Sequence, residues 1–291
     1  MAEARSIVDP ALDTRPIAEA PPARKRRHLL LALGIAMLLA MLLVTALGPW
    51  IAPYDAIATS PDSLAGPSTQ HWLGTDSIGR DVLSRLIIGG RTTLLITFVA
   101  VSLAVAAGLV LGLVSGYVGG LADELIMRGL DIVFAFPVFL LAIAVVAALG
   151  PTVPNLILTI AIVYTPIMAR VVRAPVLSVK RWDHVEAARS VGVGELRIAI
   201  VHVLPMVMSP ILVQTSLTLA NTIFTVTALS FLGIGPPPPD PNWGGMLSEA
   251  RQFMELAPLT VIGPAVAIVF ATLTFIVLAN GLRDLLDVAG H

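Results

Sequence analysis

The sequence contains no cysteine in 291 residues. Disulfides, thiolate metal sites and cysteine nucleophiles are thereby excluded. Charge is scarce as well: Asp, Glu, Lys and Arg make up 13% of the chain, about half the share in an ordinary soluble domain. The five histidines are scattered, so no group of them has metal-ligand spacing. No G-x-x-x-x-G-K-[ST] phosphate loop, H-E-x-x-H zinc motif or G-x-S-x-G nucleophile turn is present. Chemistry carried by those motifs is therefore not expected of this chain. A net charge of −1 gives no bias toward nucleic acid or acidic partners. What remains is apolar: 56% hydrophobic residues and a mean hydropathy of +0.89. That composition predicts an all-α polytopic membrane protein.

A spanning helix needs about 20 apolar residues, and six stretches supply them, near 29–51, 92–116, 129–149, 155–172, 206–232 and 259–281. The third and fourth come from one uncharged run, Ile132 to Ala169, divided by the turn sequence "GPTVPN" at 150–155. Arg128 and Arg170 flank these short spans and can snorkel to the interface. Residues 1–28 read as a disordered tail ending in the basic "RKRRH". A basic segment before an apolar run could open a signal peptide. Here the run is long and lacks a small-x-small cleavage site, which favours a retained first span over 29–52. An extracytoplasmic segment follows over 53–90, with "GTDSIGRDVLSR" (74–85) expected as an amphipathic elbow lying on the membrane or a partner. The remaining five spans fall within 91–282, and a short tail is expected over 283–291.

Loop charge sets the orientation. With the N-terminus inside, the inner segments hold 14 Lys and Arg and the outer ones 4. Both termini are therefore expected in the cytoplasm. Gly108, Gly112, Gly116 and Gly120 recur every four residues, a stripe suited to close helix packing or to a dimer seam. Arg128 and Asp131 are spaced for a local i, i+3 pair. Gln214, Thr218, Asn221 and Thr225 recur at i, i+4, i+7 and i+11 along the fifth span. That face suits either interhelical hydrogen bonding or the wall of a wet path.

One polar stretch interrupts the apolar chain. "SVKRWDHVEAARSVG" (178–192) is rich in helix formers and ends at Gly192, where a left-handed residue can close a helix. "GELRIAIVHVLP" (194–205) then starts a second helix, with Leu196, Ile200 and Val203 on one face. Pro205 suits the first turn of the fifth span. A helix–turn–helix carrying both charged and apolar residues fits a groove on a partner.

This stretch resembles the EAA loop (here 178–205) of permease subunits of ATP-binding-cassette importers. Glu186-Ala187-Ala188, Gly192 and Leu204-Pro205 stand at that motif's spacing, with His202 where the family has isoleucine. "HWLGTDSIGRDVLSRL" (71–86), "AFPVFLLAI" (135–143), "ARVVRAPVLSVK" (169–180), "SFLGIGPPPPDPNWGGML" (230–247) and "NGLRDLLD" (280–287) resemble the C-type subunit of the dipeptide, oligopeptide and nickel branch. The resemblance implies a type I importer permease fold in the bacterial cytoplasmic (inner) membrane. It implies a homologous second permease chain, two cytoplasmic ATPase subunits, an extracytoplasmic solute-binding protein and a peptide substrate. ATP and magnesium would be bound by the ATPases and no cofactor by this chain. Asp183, Glu186, Ala187, Ala188, Arg189, Gly192, Leu204 and Pro205 would then form the coupling element. Gln214, Thr218, Asn221 and Thr225 are the candidates for the path. The competing class is a secondary transporter or channel, which usually places ionisable residues at mid-membrane. The mid-span regions here lack them, which favours energy supplied by another chain.

Overall fold

The computed structural model describes residues 24–286, and their side chains from His28 onward. The tail expected over 1–28 lies outside the described residues except for 24–28, which are helical, and residues 287–291 lie outside them too. In chain order the elements are α1 (Arg24–Ala46), α2 (Gly48–Ile51), α3 (Val82–Val118), α4 (Gly120–Phe134), α5 (Val138–Leu149) and α6 (Val153–Val179). There follow α7 (Asp183–Ser190), α8 (Glu195–Arg197), α9 (Met208–Phe231), α10 (Trp243–Ala250) and α11 (Leu259–Leu286). Among the described residues the only β pairing is an isolated bridge between Thr75 and Asp81. Five helical stretches are long and apolar enough to span a bilayer, and α4 with α5 makes a sixth if the bent pair is one span. The protein is thus an all-α, multi-pass membrane protein.

The third span is not a straight helix. Pro137 has no N–H to donate and separates α4 from α5 at a bend of 87°. The second span is longer than its apolar run: α3 holds 37 residues, roughly 55 Å at 1.5 Å per residue. It begins at Val82, so the expected elbow is not a separate surface element. Its sequence forms a cap and a first turn buried against α10. Asp81 closes the N-terminus, accepting from the Ser84 N–H at 2.8 Å and Oγ at 2.7 Å. Arg80 and Arg85 both reach Glu249 of α10, at 2.5 and 2.9 Å.

Three apolar clusters hold the bundle. α3 contributes to all three, and its seam with α6 joins the first and the third. The glycine stripe faces this seam, not a second copy of the chain. A β-carbon at Gly108 would lie 2.4 Å from Met168 Cβ, and one at Gly112 would lie 2.4 Å from the Ala169 carbonyl oxygen. Gly120 is not part of the stripe: α3 ends at Val118, and Gly119 and Gly120 beyond it have positive φ, +74° and +57°. α1 packs along α11, at the edge of the bundle.

Candidate functional site

At the end of the bundle where α3 terminates and α6 runs out, the chain turns at Lys180–Trp182 and enters α7. Asp183 and Glu186 fall in the first turn of α7, where carboxylates favour the helix dipole. The C-terminus closes with paired bonds: Val193 N–H to the Ala188 carbonyl at 3.2 Å and Gly192 N–H to the Arg189 carbonyl at 3.0 Å. This is the Schellman arrangement, which requires a left-handed residue. Gly192 supplies it with φ +83°. The chain then reverses into α8.

Beyond α8 the helix does not continue regularly. Ile198–Val203 is π-helical and Leu204–Val207 is a 3-10 turn before α9 begins. Pro205 therefore sits inside a continuous helical run and does not open the span. It cannot donate to the carbonyl four residues back, and its ring crowds that carbonyl. The wider π turn before it absorbs the mismatch. The same turn changes the buried face: Ile198, Val203, Val207 and Ile211 are buried, whereas Leu196 and Ile200 are exposed. The face expected from Leu196, Ile200 and Val203 assumed α-helical spacing and is corrected accordingly.

The hairpin is anchored from beneath. Val185 of α7 and Ile198 are fully buried with Met168, Val172 and Val176 of α6. Burying one such side chain contributes about 1.5–3 kcal/mol. Polar contacts add a brace. Arg189 bonds Glu195 at 2.8 Å, and Tyr117, near the end of α3, donates to the same carboxylate. Glu195, and after it Tyr117, hold the Arg189 pKa above its ordinary value. Lys180 donates to the Gly116 carbonyl at 2.6 Å and the Tyr117 carbonyl at 3.2 Å, capping the C-terminus of α3. Burial, its largest influence, lowers the Lys180 pKa.

The expected coupling residues thus divide. Asp183, Glu186 and Ala187 are exposed on α7, and the two carboxylates have no ion-pair partner among the described residues. Ala188 and Leu204 pack against the α6 cluster. Arg189 is engaged within the hairpin. Gly192 makes the turn, and Pro205 is exposed. Tyr117, outside the loop, and Lys180, near its start, belong to the site although neither was among the expected coupling residues. The tip is apolar and uncovered: Val191 is 80% exposed and Leu196 75%. Apolar side chains projecting beside unpaired charges suit a partner surface.

The expected path residues divide too. Thr225 bonds the Tyr164 hydroxyl at 2.9 Å, and Thr218 lies against Met168, 3.6 Å from its sulfur. Both threonines are buried against α6. Asn221 is exposed and Gln214 half-buried. They lie on the outward stripe Gln214, Leu217, Asn221, Phe224, Ala228 and Phe231. That stripe borders an open apolar groove of about 620 Å³ between α9 and α11, lined also by Val269 and Leu273. Arg128 and Asp131 do not pair: Arg128 bonds Glu124 at 2.8 Å, and Asp131 bonds Arg170 at 2.6 Å. Arg170 is thus held by a partner on α4.

A multi-pass helical bundle with one exposed helix–turn–helix is the form of a membrane-embedded subunit that offers a docking surface outside the bilayer. Residues 108–289 match the family described as binding-protein-dependent transport system inner membrane component, and the chain belongs to that family. It is 47% identical over 266 residues to a glutathione transport system permease protein, GsiD, of Shigella flexneri serotype 5b (strain 8401). It is 44% identical over the same length to the GsiD protein of Escherichia coli O157:H7. In both cases 90% of this chain and 87% of the relative are covered. An inward-facing structure of the MetNI methionine ABC transporter shares the fold, with TM-score 0.54 and 17% identity, covering 65% of this chain and 91% of that one. The protein is a permease subunit of an ATP-driven ABC importer in the inner membrane. It works with a binding protein and with separate ATPase subunits that hydrolyse the ATP.

Proposed function

We propose that this chain forms half of a translocation path for short peptides or peptide-like solutes, paired with a homologous second permease chain. The relatives named above are permeases for glutathione, itself a short peptide, and this supports the substrate class. The hairpin of α7 and α8 docks on an ATPase subunit and transmits its movement to the spans. ATP and magnesium are held by those subunits. Both termini lie in the cytoplasm, in keeping with the 14-to-4 division of Lys and Arg.

The observation that carries this reading is the form of the hairpin: anchored from below by Val185 and Ile198, fixed in its turn by Gly192, and apolar at its tip. A loop that only joined two spans would need none of these. The test is disulfide or bifunctional thiol cross-linking from single cysteines at 191 and 196 to the ATPase subunits in the assembled complex. Cross-linking is expected at both positions, with a yield that changes when ATP is trapped. Absence of any cross-link in an assembled complex would overturn the docking role.

A further inference from the structure

α4 is weakly held by apolar contact. Leu130 is its only buried residue, while Leu121, Leu125, Ile132 and Phe134 are exposed. Its position against α6 is fixed by charge. Arg173 grips Asp123 with both prongs of the guanidinium, Nε to Oδ1 and Nη2 to Oδ2, each at 2.6 Å. Ser115 of α3 donates to the same Asp123 carboxylate. One turn earlier on α6, Arg170 bonds Asp131 at 2.6 Å, and its guanidinium carbon lies 4.0 Å from the centre of the Phe134 ring. The second pair is the more exposed, with side chains 37% and 60% accessible, against 31% and 18% for Arg173 and Asp123. Exposed pairs contribute little, so the forked contact carries most of the constraint.

Both arginines stand on the helix that leads directly into α7. We propose that Arg173, assisted by Arg170, is a positioning residue that makes the broken span α4–α5 follow the coupling hairpin. The inference rests on the reading of that hairpin as the ATPase-docking element. A purely apolar seam is non-directional and tolerates sliding. A two-pronged guanidinium–carboxylate contact fixes both register and orientation. α6 is rigidly joined to α7 through Val185 and the buried valines of its last turns. At its far end α4 passes through the Pro137 break into α5. A shift of α7 carried by α6 is therefore imposed on α4 through Asp123.

A cysteine-free chain permits a direct test. Spin labels at Leu125→Cys on α4 and His184→Cys on α7 report the separation of the two elements in the complete complex, nucleotide-free and with ATP trapped. In the wild-type background the distance distribution is expected to stay narrow and to remain the same in the two states. Arg173→Lys keeps the charge but loses the fork. It and Asp123→Asn are expected to broaden the distribution and to separate the two states. The exchange Asp123→Arg/Arg173→Asp is expected to restore part of the narrow distribution. Unchanged distributions in both single variants would overturn the proposal. So would failure of both single variants and the exchange to assemble, because the pair would then be a folding brace only. Protection of a cysteine at 191 by the ATPase subunits, read in the same backgrounds, separates the two levels of inference. Protection together with unchanged distributions removes the clamp alone. Absence of protection removes the docking role and the clamp with it.

Discussion

Adding the same methyl group at two glycines should produce two different failures. A β-carbon at Gly112 would stand 2.4 Å from the Ala169 carbonyl oxygen and 2.7 Å from Val172 Cβ. Ordinary contact begins at 3.4 Å, so α3 and α6 must separate by 1.0 Å at that point (3.4 minus 2.4). Neither obstacle is the end of a flexible side chain. Gly108 and Gly116 meet α6 in the same seam, so retreat at one point loosens the others. Overpacking of this kind costs about 1–3 kcal/mol. A radial gap of 0.5–1 Å also forfeits roughly a quarter to a half of each lost dispersion contact. Gly192 has nothing within 4 Å of such a β-carbon. Its cost comes from φ +83°, about 1–2 kcal/mol for an L-residue, and it falls on an exposed turn that can relax locally. Thermal unfolding of the detergent-solubilised permease, followed by tryptophan fluorescence, distinguishes the two. Gly112→Ala should lower the midpoint by several degrees and reduce the amount of chain in the membrane. Gly192→Ala should leave the midpoint close to wild type while disturbing hairpin function. A wild-type midpoint for Gly112→Ala would refute the close α3–α6 contact.

Asn221→Leu should slow solute flux while the complex still assembles. Thr225→Val should instead lower stability by about 1–3 kcal/mol, because it removes the hydrogen bond between Thr225 and the buried Tyr164 hydroxyl. Equal loss of flux in both, at unchanged stability, would erase the division of that helix into an exposed stripe and a packed one. Single cysteines at 63 and 238 should react with a membrane-impermeant thiol reagent on intact cells, and one at 184 only after permeabilisation. The reverse pattern would turn the bundle over.

The membrane class and most spans were legible because about twenty apolar residues in a row have few other uses in a folded protein. The hairpin was legible because charge and glycine interrupt that pattern where a span begins. Other features depend on partners distant in sequence. The glycine stripe showed close packing, but only the fold shows that its partner is α6. Arg170 finds Asp131 39 residues away and Arg173 finds Asp123 at 50, so neither pair follows from helical spacing. Thr218 and Asn221 share a side of α9 by periodicity, yet α6 covers the first and not the second. The buried face after Arg197 was misjudged because a π turn shifts the spacing from Ile198 to Val203. The 87° break at Pro137 was not legible, because composition alone does not show whether neighbouring helices hold a proline-containing span straight.

Coupling through the hairpin is tested most directly by ATP hydrolysed per solute imported, measured on one preparation of proteoliposomes carrying the complete complex. Glu186→Lys reverses a charge on the exposed face of α7 without touching a span. Gly192→Val places a β-branched residue at a positive φ. Both should abolish uptake, either by releasing the ATPase subunits or by leaving hydrolysis that moves no solute. Wild-type uptake by both variants, with hydrolysis still fully coupled, would show that the hairpin is not the transmission element.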